Sequence, residues 1–148
     1  MKRIYVNEQW CLGCHLCEYE CAYANSGIAD MVRALKGKKI YPRVHVGDCG
    51  EIHFAVNCRH CNEAVCAESC ISCALSKGED GIVRIDGDKG VGCLTCVLVC
   101  PYGAVTPSPD GHAAMKCALC TDNFAGEPNC VKHCPNGAIV YETRENGL

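Results

Sequence analysis

Four runs along this chain each hold a cysteine followed, after two intervening residues, by another, with more cysteines close behind; no other feature narrows its fold as much. The first run is Cys11-Leu-Gly-Cys14-His-Leu-Cys17-Glu-Tyr-Glu-Cys21. The second, Cys58-Arg-His-Cys61-Asn-Glu-Ala-Val-Cys66-Ala-Glu-Ser-Cys70, repeats it with two residues inserted before the third cysteine. The third reads Gly90-Val-Gly-Cys93-Leu-Thr-Cys96-Val-Leu-Val-Cys100-Pro101, with glycine where the register of the others puts a cysteine. The fourth opens with Cys117-Ala-Leu-Cys120 and closes, after a wider loop, with Cys130-Val-Lys-His-Cys134-Pro135.

Seventeen cysteines in 148 residues must be disulfides, metal ligands or cluster ligands. The start, Met-Lys-Arg-Ile-Tyr-Val, has no apolar signal core or twin-arginine pair, and no run approaches a membrane span, so a cytoplasmic location is expected. Thiols stay reduced there, which favours metal over disulfide. Spacing then favours iron–sulfur clusters. In C-x2-C-x2-C-x3-C three thiolates wrap one cuboidal cluster while the fourth, on the following helix, reaches a second one. A zinc tetrahedron, built from two separated pairs, leaves the third cysteine of such a loop without a place. Two Phe and one Trp give a thin aromatic core, which clusters can fill and fasten. A formal net charge of −3 argues against nucleic-acid binding.

Each run reads as one repeat of a ligand loop, a short helix and a strand, in an α+β chain with no Pro- or Ser-rich linker and hence a single domain. Ile4 to Val6, Ile82 to Ile85, Ala104 to Thr106 and Ala138 to Tyr141 are expected as strands, and Glu18 to Ala24, Leu94 to Cys100 and Asn129 to Cys134 as helices. The insert between the first two runs is expected to hold a helix near Ala29 to Leu35 and strands at Lys39 to Val46 and Glu51 to Val56. Gly47-Asp48-Cys49-Gly50 would join those strands as a turn.

The four runs together resemble the four-cluster ferredoxin-like subunits that serve molybdenum and tungsten oxidoreductases, carbon monoxide dehydrogenases and hydrogenases. Among these the chain looks most like the polyferredoxin subunits of tungsten aldehyde oxidoreductases and the iron–sulfur proteins of carbon monoxide dehydrogenase. The resemblance rests on Cys-Leu-Gly-Cys-His-Leu-Cys-Glu, Cys-Arg-His-Cys, Val-Cys-Pro-Tyr-Gly-Ala, Lys-Cys-Ala-Leu-Cys and Cys-Pro-Asn-Gly-Ala-Ile. It implies one bacterial two-cluster ferredoxin-like fold nested in another: an outer module of residues 1–26 with 112–148, an inner module of 52–108 and an insert at 27–51. It further implies four [4Fe–4S] clusters. Cys11, Cys14, Cys17 and Cys134 would hold the first, and Cys117, Cys120, Cys130 and Cys21 the second. Cys58, Cys61, Cys66 and Cys100 would hold the third, and Cys93, Cys96 and Cys70 the fourth. Cys73 is the candidate to complete the fourth; the alternatives are a [3Fe–4S] cluster with Cys73 a free thiol, or capping by another group such as Asp88. Cys49 reads as a free thiol.

The function so implied is relay of low-potential electrons in anaerobic metabolism. The chain would be the non-catalytic small subunit of an oxidoreductase complex of the aldehyde oxidoreductase, formate dehydrogenase, carbon monoxide dehydrogenase or hydrogenase type. Its partners would be a larger redox subunit carrying a tungsten or molybdenum pterin, nickel or a hydrogenase centre, and another electron carrier. Two other readings stand beside it: a zinc-stabilised interaction module, and an iron–sulfur enzyme with substrate at an open iron. Leu12, Leu16, Leu94, Val97, Leu98 and Tyr102 are expected to pack over the clusters. His15, His60 and His133 lie between ligands, where a ring N–H could donate to sulfur or merely cap a turn. The basic stretch Arg33, Lys36, Lys38, Lys39 and Arg43 reads either as a docking surface or as a solvated face.

Overall fold

In the computed structural model, which describes residues 1–144, the two ends of the chain are tied to each other. Strand β1 (Arg3–Val6) runs antiparallel to β8 (Ile139–Glu142), from Arg3 opposite Glu142 to Val6 opposite Ile139. The other described strands form three further antiparallel pairs: β2 (His45–Cys49) with β3 (Ile52–Val56), β4 (Leu75–Lys77) with β5 (Val83–Ile85), and β6 (Val105–Pro107) with β7 (Ala114–Lys116).

A short helix follows each cysteine loop: α1 (Leu16–Ala24), α3 (Val65–Glu68), α4 (Thr95–Leu98) and α5 (Asn129–Lys132), while α2 (Met31–Leu35) lies in the insert. α1 packs on α5 and α3 on α4, so the first run meets the fourth and the second meets the third. In α1 the buried Cys17 and Cys21 stand one turn apart and therefore share a face. Asp30 caps α2 by accepting the Arg33 N–H at 2.8 Å. No helix among the described residues is long and apolar enough to cross a membrane.

Cysteine fills much of the interior. One buried cluster joins Ile4, Val44, Ile82, Leu119 and Ile139 to Cys17, Cys21, Cys58, Cys117 and Cys130; a second joins Leu75, Val83 and Val105 to Cys96. Trp10, Phe54 and Phe124 are all exposed, so the few large aromatics do not build the core.

The expected strands and helices outside the insert appear within a few residues of their anticipated limits. In the insert, the strand expected at Lys39 to Val46 begins only at His45. Pro42 interrupts it, and the next N–H, of Arg43, donates to Cys21 Sγ at 3.2 Å instead of to a ladder. The turn also moves: Gly47 to Cys49 belong to β2, and with Cys49 opposite Ile52 the connection is the two-residue Gly50-Glu51, Gly50 lying at φ +64°. Strands β4 and β7 were not expected, because Leu-Ser-Lys and Ala-Met-Lys carry no β-branched residue and take their strand form from their partners.

Candidate metal-cluster centres

All four runs share one backbone device. The residue before the second register position, occupied by Cys14, Cys61, Cys93 and Cys120, is left-handed in each: Gly13 (φ +64°), His60 (+47°), Gly92 (+70°) and Leu119 (+58°). In the second and fourth runs the bend turns an amide toward the opening sulfur: His60 N–H reaches Cys58 Sγ at 3.4 Å and Leu119 N–H reaches Cys117 Sγ at 3.3 Å. Left-handed His and Leu cost about 1–2 kcal/mol each, so these contacts offset a real backbone strain.

The structure gathers the candidate cysteines into groups, each drawn from two runs. Cys11, Cys14, Cys17 and Cys134 line one cavity, and Cys21, Cys117, Cys120 and Cys130 a second. Cys58, Cys61, Cys66 and Cys100 line the largest, about 720 Å³, which Arg3, Arg59 and Arg144 also border. There Arg59 lies 4.2 Å from the Tyr102 ring centroid and Arg144 lies 4.0 Å from that of Tyr5. Cys70, Cys93 and Cys96 form the last group, near enough to influence one another's ionisation. The seventeen cysteines are all free thiols, and no three His, Cys, Asp or Glu side chains among the described residues are placed to hold a single metal ion.

Burial and local hydrogen bonds set the ionisation of these thiols in opposite directions. Burial, helped by neighbouring thiols and at Cys17 first by the Glu18 carboxylate, pushes Cys17 and Cys117 up to about 12 and raises Cys21, Cys130, Cys66 and Cys96 as well. Cys70 and Cys93 go the other way. At Cys70 the desolvation is outweighed by N–H groups of Leu75, Ala74 and Ser72 and by the Ser72 hydroxyl; at Cys93 the Thr95 hydroxyl leads the lowering. Lys116 adds a positive charge between groups. It is 1% exposed, its Nζ donates to Val83 O and to Cys117 O (2.9 Å), and it forms no ion pair among the described residues. A buried ammonium without a carboxylate needs anions close by. Thiolate-bound iron–sulfur clusters, at roughly −2 each, are such anions, so these residues fit that group.

At the irregular third run, Gly90 does more than lack a thiol. A Cβ there would stand 2.9 Å from Ala113 Cβ and 3.3 Å from Gly87 O, so the space a ligand side chain would use is taken. Cys73 is exposed, left-handed at φ +52°, and held three residues past Cys70 by its N–H donating to Cys70 O at 3.1 Å. Cys49 is exposed at the end of β2, apart from these groups.

Other expectations are corrected. Leu12, Leu16 and Leu98 are exposed, Leu98 at 84%; Leu12 borders the first cavity but its outer side meets water, whereas Tyr102 borders the cavity of the Cys58 group and Val97 packs against the second buried cluster. The reason is geometric, since one-turn helices and tight loops that turn their cysteines inward turn the neighbouring side chains out. His15 is engaged by Glu18 (Nδ1 to Oε2, 2.9 Å) and His133 by Glu20 (3.4 Å) and by Asn129 O (3.1 Å). His60 is wholly buried, its Nδ1 accepting the Val83 N–H at 3.0 Å. Within the basic stretch, Arg43 lies 3.9 Å from Asp122 and Lys39 lies 5.6 Å from the Tyr41 ring. Lys116, the Arg43 amide and His53, which packs under Gly13, were not found from sequence; nothing in the local pattern marks a lysine before Cys117 as buried.

Comparison with known proteins completes the picture. Residues 49–144 match the model of a 4Fe-4S dicluster domain, a stretch that holds the second, third and fourth runs and omits the first. The chain is 38% identical over 147 residues to AegA of Escherichia coli (strain K12), covering 95% of itself but only 22% of that longer protein. It is 34% identical over 149 residues to the electron transport protein HydN of the same strain, covering 90% of itself and 83% of HydN. Against the B subunit of the anaerobic dimethyl sulfoxide reductase of that strain it is 30% identical over 150 residues, covering 93% of itself and 71% of that subunit. In fold it resembles part of the active site complex BamBC of benzoyl coenzyme A reductase, at TM-score 0.51 and 24% identity over 98% of this chain and 80% of that one.

Proposed function

We infer the role of this chain from one premise: it belongs to the 4Fe-4S dicluster domain family and is an iron–sulfur electron-transfer protein. Our reading extends that to four clusters in series, two more than the family's description names. Cys11, Cys14, Cys17 and Cys134 hold the first, Cys117, Cys120, Cys130 and Cys21 the second, Cys58, Cys61, Cys66 and Cys100 the third, and Cys93, Cys96, Cys70 and Cys73 the fourth. The observation that carries it is the convergence of four cysteines from two different runs at each of three separate places.

Neighbouring groups are physically linked. Helix α1 carries Cys17 on one side of a turn and Cys21 on the next, and Cys130 is likewise followed by Cys134. Cys66 and Cys70, and Cys96 and Cys100, join the last two groups in the same way. Cys58 and Cys117 are close enough to affect each other, which joins the middle two. When bound, the clusters supply one-electron exchange without bond-making. The chain's own work is to fix their spacing, keep the inner thiols dry and aim amides at sulfur.

The partner we propose is a larger redox subunit of the tungsten or molybdenum pterin, nickel or hydrogenase type, together with a second electron carrier; HydN and the dimethyl sulfoxide reductase subunit support the relay role. On its own the chain should turn over no substrate. Iron and sulfide analysis of protein purified without oxygen tests the reading: roughly twelve to sixteen irons per chain are expected from three or four clusters. A count near eight would reduce it to a two-cluster protein, and zinc in place of iron would overturn it.

A further inference from the structure

His60 is the one described residue whose buried side-chain polar atom, Nε2, has no hydrogen-bond partner. Its side chain is among the most deeply buried in the chain, at 0% exposure. The position does not demand histidine: in the fourth run the matching residue of the loop is Leu119, equally left-handed and 1% exposed. An imidazole in a slot that leucine can fill leaves a polar atom stranded unless something outside the polypeptide receives it.

The tautomer follows from geometry. The Val83 N–H donates to Nδ1 at 3.0 Å, so Nδ1 carries no proton and Nε2 does. Val83 is gripped on both sides, because its carbonyl accepts from Lys116 Nζ, which also donates to Cys117 O. The ring is therefore fixed by β5 and backed by a buried ammonium. Its own backbone N–H points at Cys58 Sγ. Val83 borders the cavity of the Cys58 group and Cys117 that of the second, so Lys116, bonded to both carbonyls, lies between the two middle groups.

We propose that His60 Nε2–H donates to a sulfur of the central cluster pair, and that this N–H, with Lys116 behind it, raises the potential of the cluster it meets. This deepens the four-cluster reading and rests on it. A donor to cluster sulfur stabilises the more negative, reduced state, as does a nearby cation, so both residues act in one direction. His60 is thus a positioning residue for the electron rather than a ligand.

The test uses the full chain, purified without oxygen, with histidine labelled in nitrogen-15. Iron and sulfide content reports on the four-cluster reading, and the other readouts report on His60. In the unaltered protein, pulsed EPR of a reduced central cluster should show weak coupling to an imidazole nitrogen. His60→Leu, the residue the fourth run uses, should keep the iron count, lose that coupling and lower one central midpoint potential. His60→Gln, which retains an N–H, should recover part of the potential. Unchanged potentials and coupling in a His60→Leu protein of full iron content would overturn the proposal. If that variant fails to assemble, absence of imidazole coupling from the central clusters of the unaltered protein would overturn it equally.

Discussion

Ala113 decides what Gly90 can become. With its Cβ 2.9 Å from where a Gly90 Cβ would sit, Ala113 blocks the repair that the repeat pattern invites, a cysteine restored at the vacant register. Gly90→Cys should lower the melting temperature and add no iron. A variant that gained iron or stability would show that the loop yields and that the register position is still usable. Cys73→Ala tests the alternative completion. If Cys73 is the missing ligand, anaerobically isolated variant protein should show an oxidised three-iron EPR signal absent from the parent, with the remaining clusters intact. Full iron content and an unaltered spectrum would make it a bystander thiol. The sequence made the missing ligand visible because the repeats align. It hid Ala113, which lies beyond the third run and approaches only when β6 and β7 pair. It hid Lys116 for the same reason: burial of an ammonium depends on anions supplied by distant segments.

Among the elements, the β2–β3 hairpin is the insert's contribution to the first cavity. Val46 N–H donates to Glu18 Oε1 at 2.7 Å, pinning β2 to α1, and His53 on β3 is held by Asp48 at 2.5 Å while its ring lies under Gly13. Gly13 is left-handed, and a Cβ there would stand 2.7 Å from His53 Cγ. Gly13→Ala therefore meets two costs, about 1–2 kcal/mol for the backbone and a further one for displacing the ring. It should lower thermal stability and lose about one cluster's four irons. Adding His53→Ala should recover the steric part and leave the backbone part, a partial rescue readable in a double-mutant cycle. Full rescue would mean that the backbone conformation is unimportant. The hairpin was foreseen as two strands and a turn, but its limits were not. Pro42 and the diversion of the Arg43 amide to Cys21 shorten the first strand, and β-propensity carries no information about a sulfur acceptor 22 residues away.

For the molecule as a whole, the pairing of β1 with β8 and of α1 with α5 makes the outer half depend on both chain ends, while α3, α4 and the strands from β4 to β7 lie within one stretch. Ending the chain at Ala138 should remove β8 and cost the clusters assigned to Cys11–Cys21 and Cys117–Cys134, leaving the inner pair. About half of the iron should remain, with the EPR signals of the inner clusters unchanged. Loss of all iron would show that the two halves cannot stand apart. The repeats made the number of units legible. Which unit meets which was carried by the family resemblance alone, since four similar runs can pair in more than one way.

The tie between the chain ends also has a consequence for how the protein is made. Cys11, Cys14, Cys17 and Cys21 leave the ribosome first, yet their partners in the fourth run follow roughly a hundred residues later. At ordinary elongation rates that delay is on the order of ten seconds. During this interval the newest molecule in the cell displays four uncovered thiols, open to oxidants and to any thiophilic ion that arrives before iron and sulfide do. The inner cysteines wait for less time. Maturation should therefore run from the middle outward, and the first run, made before the other three, should be the last to acquire its metal and the most sensitive to air.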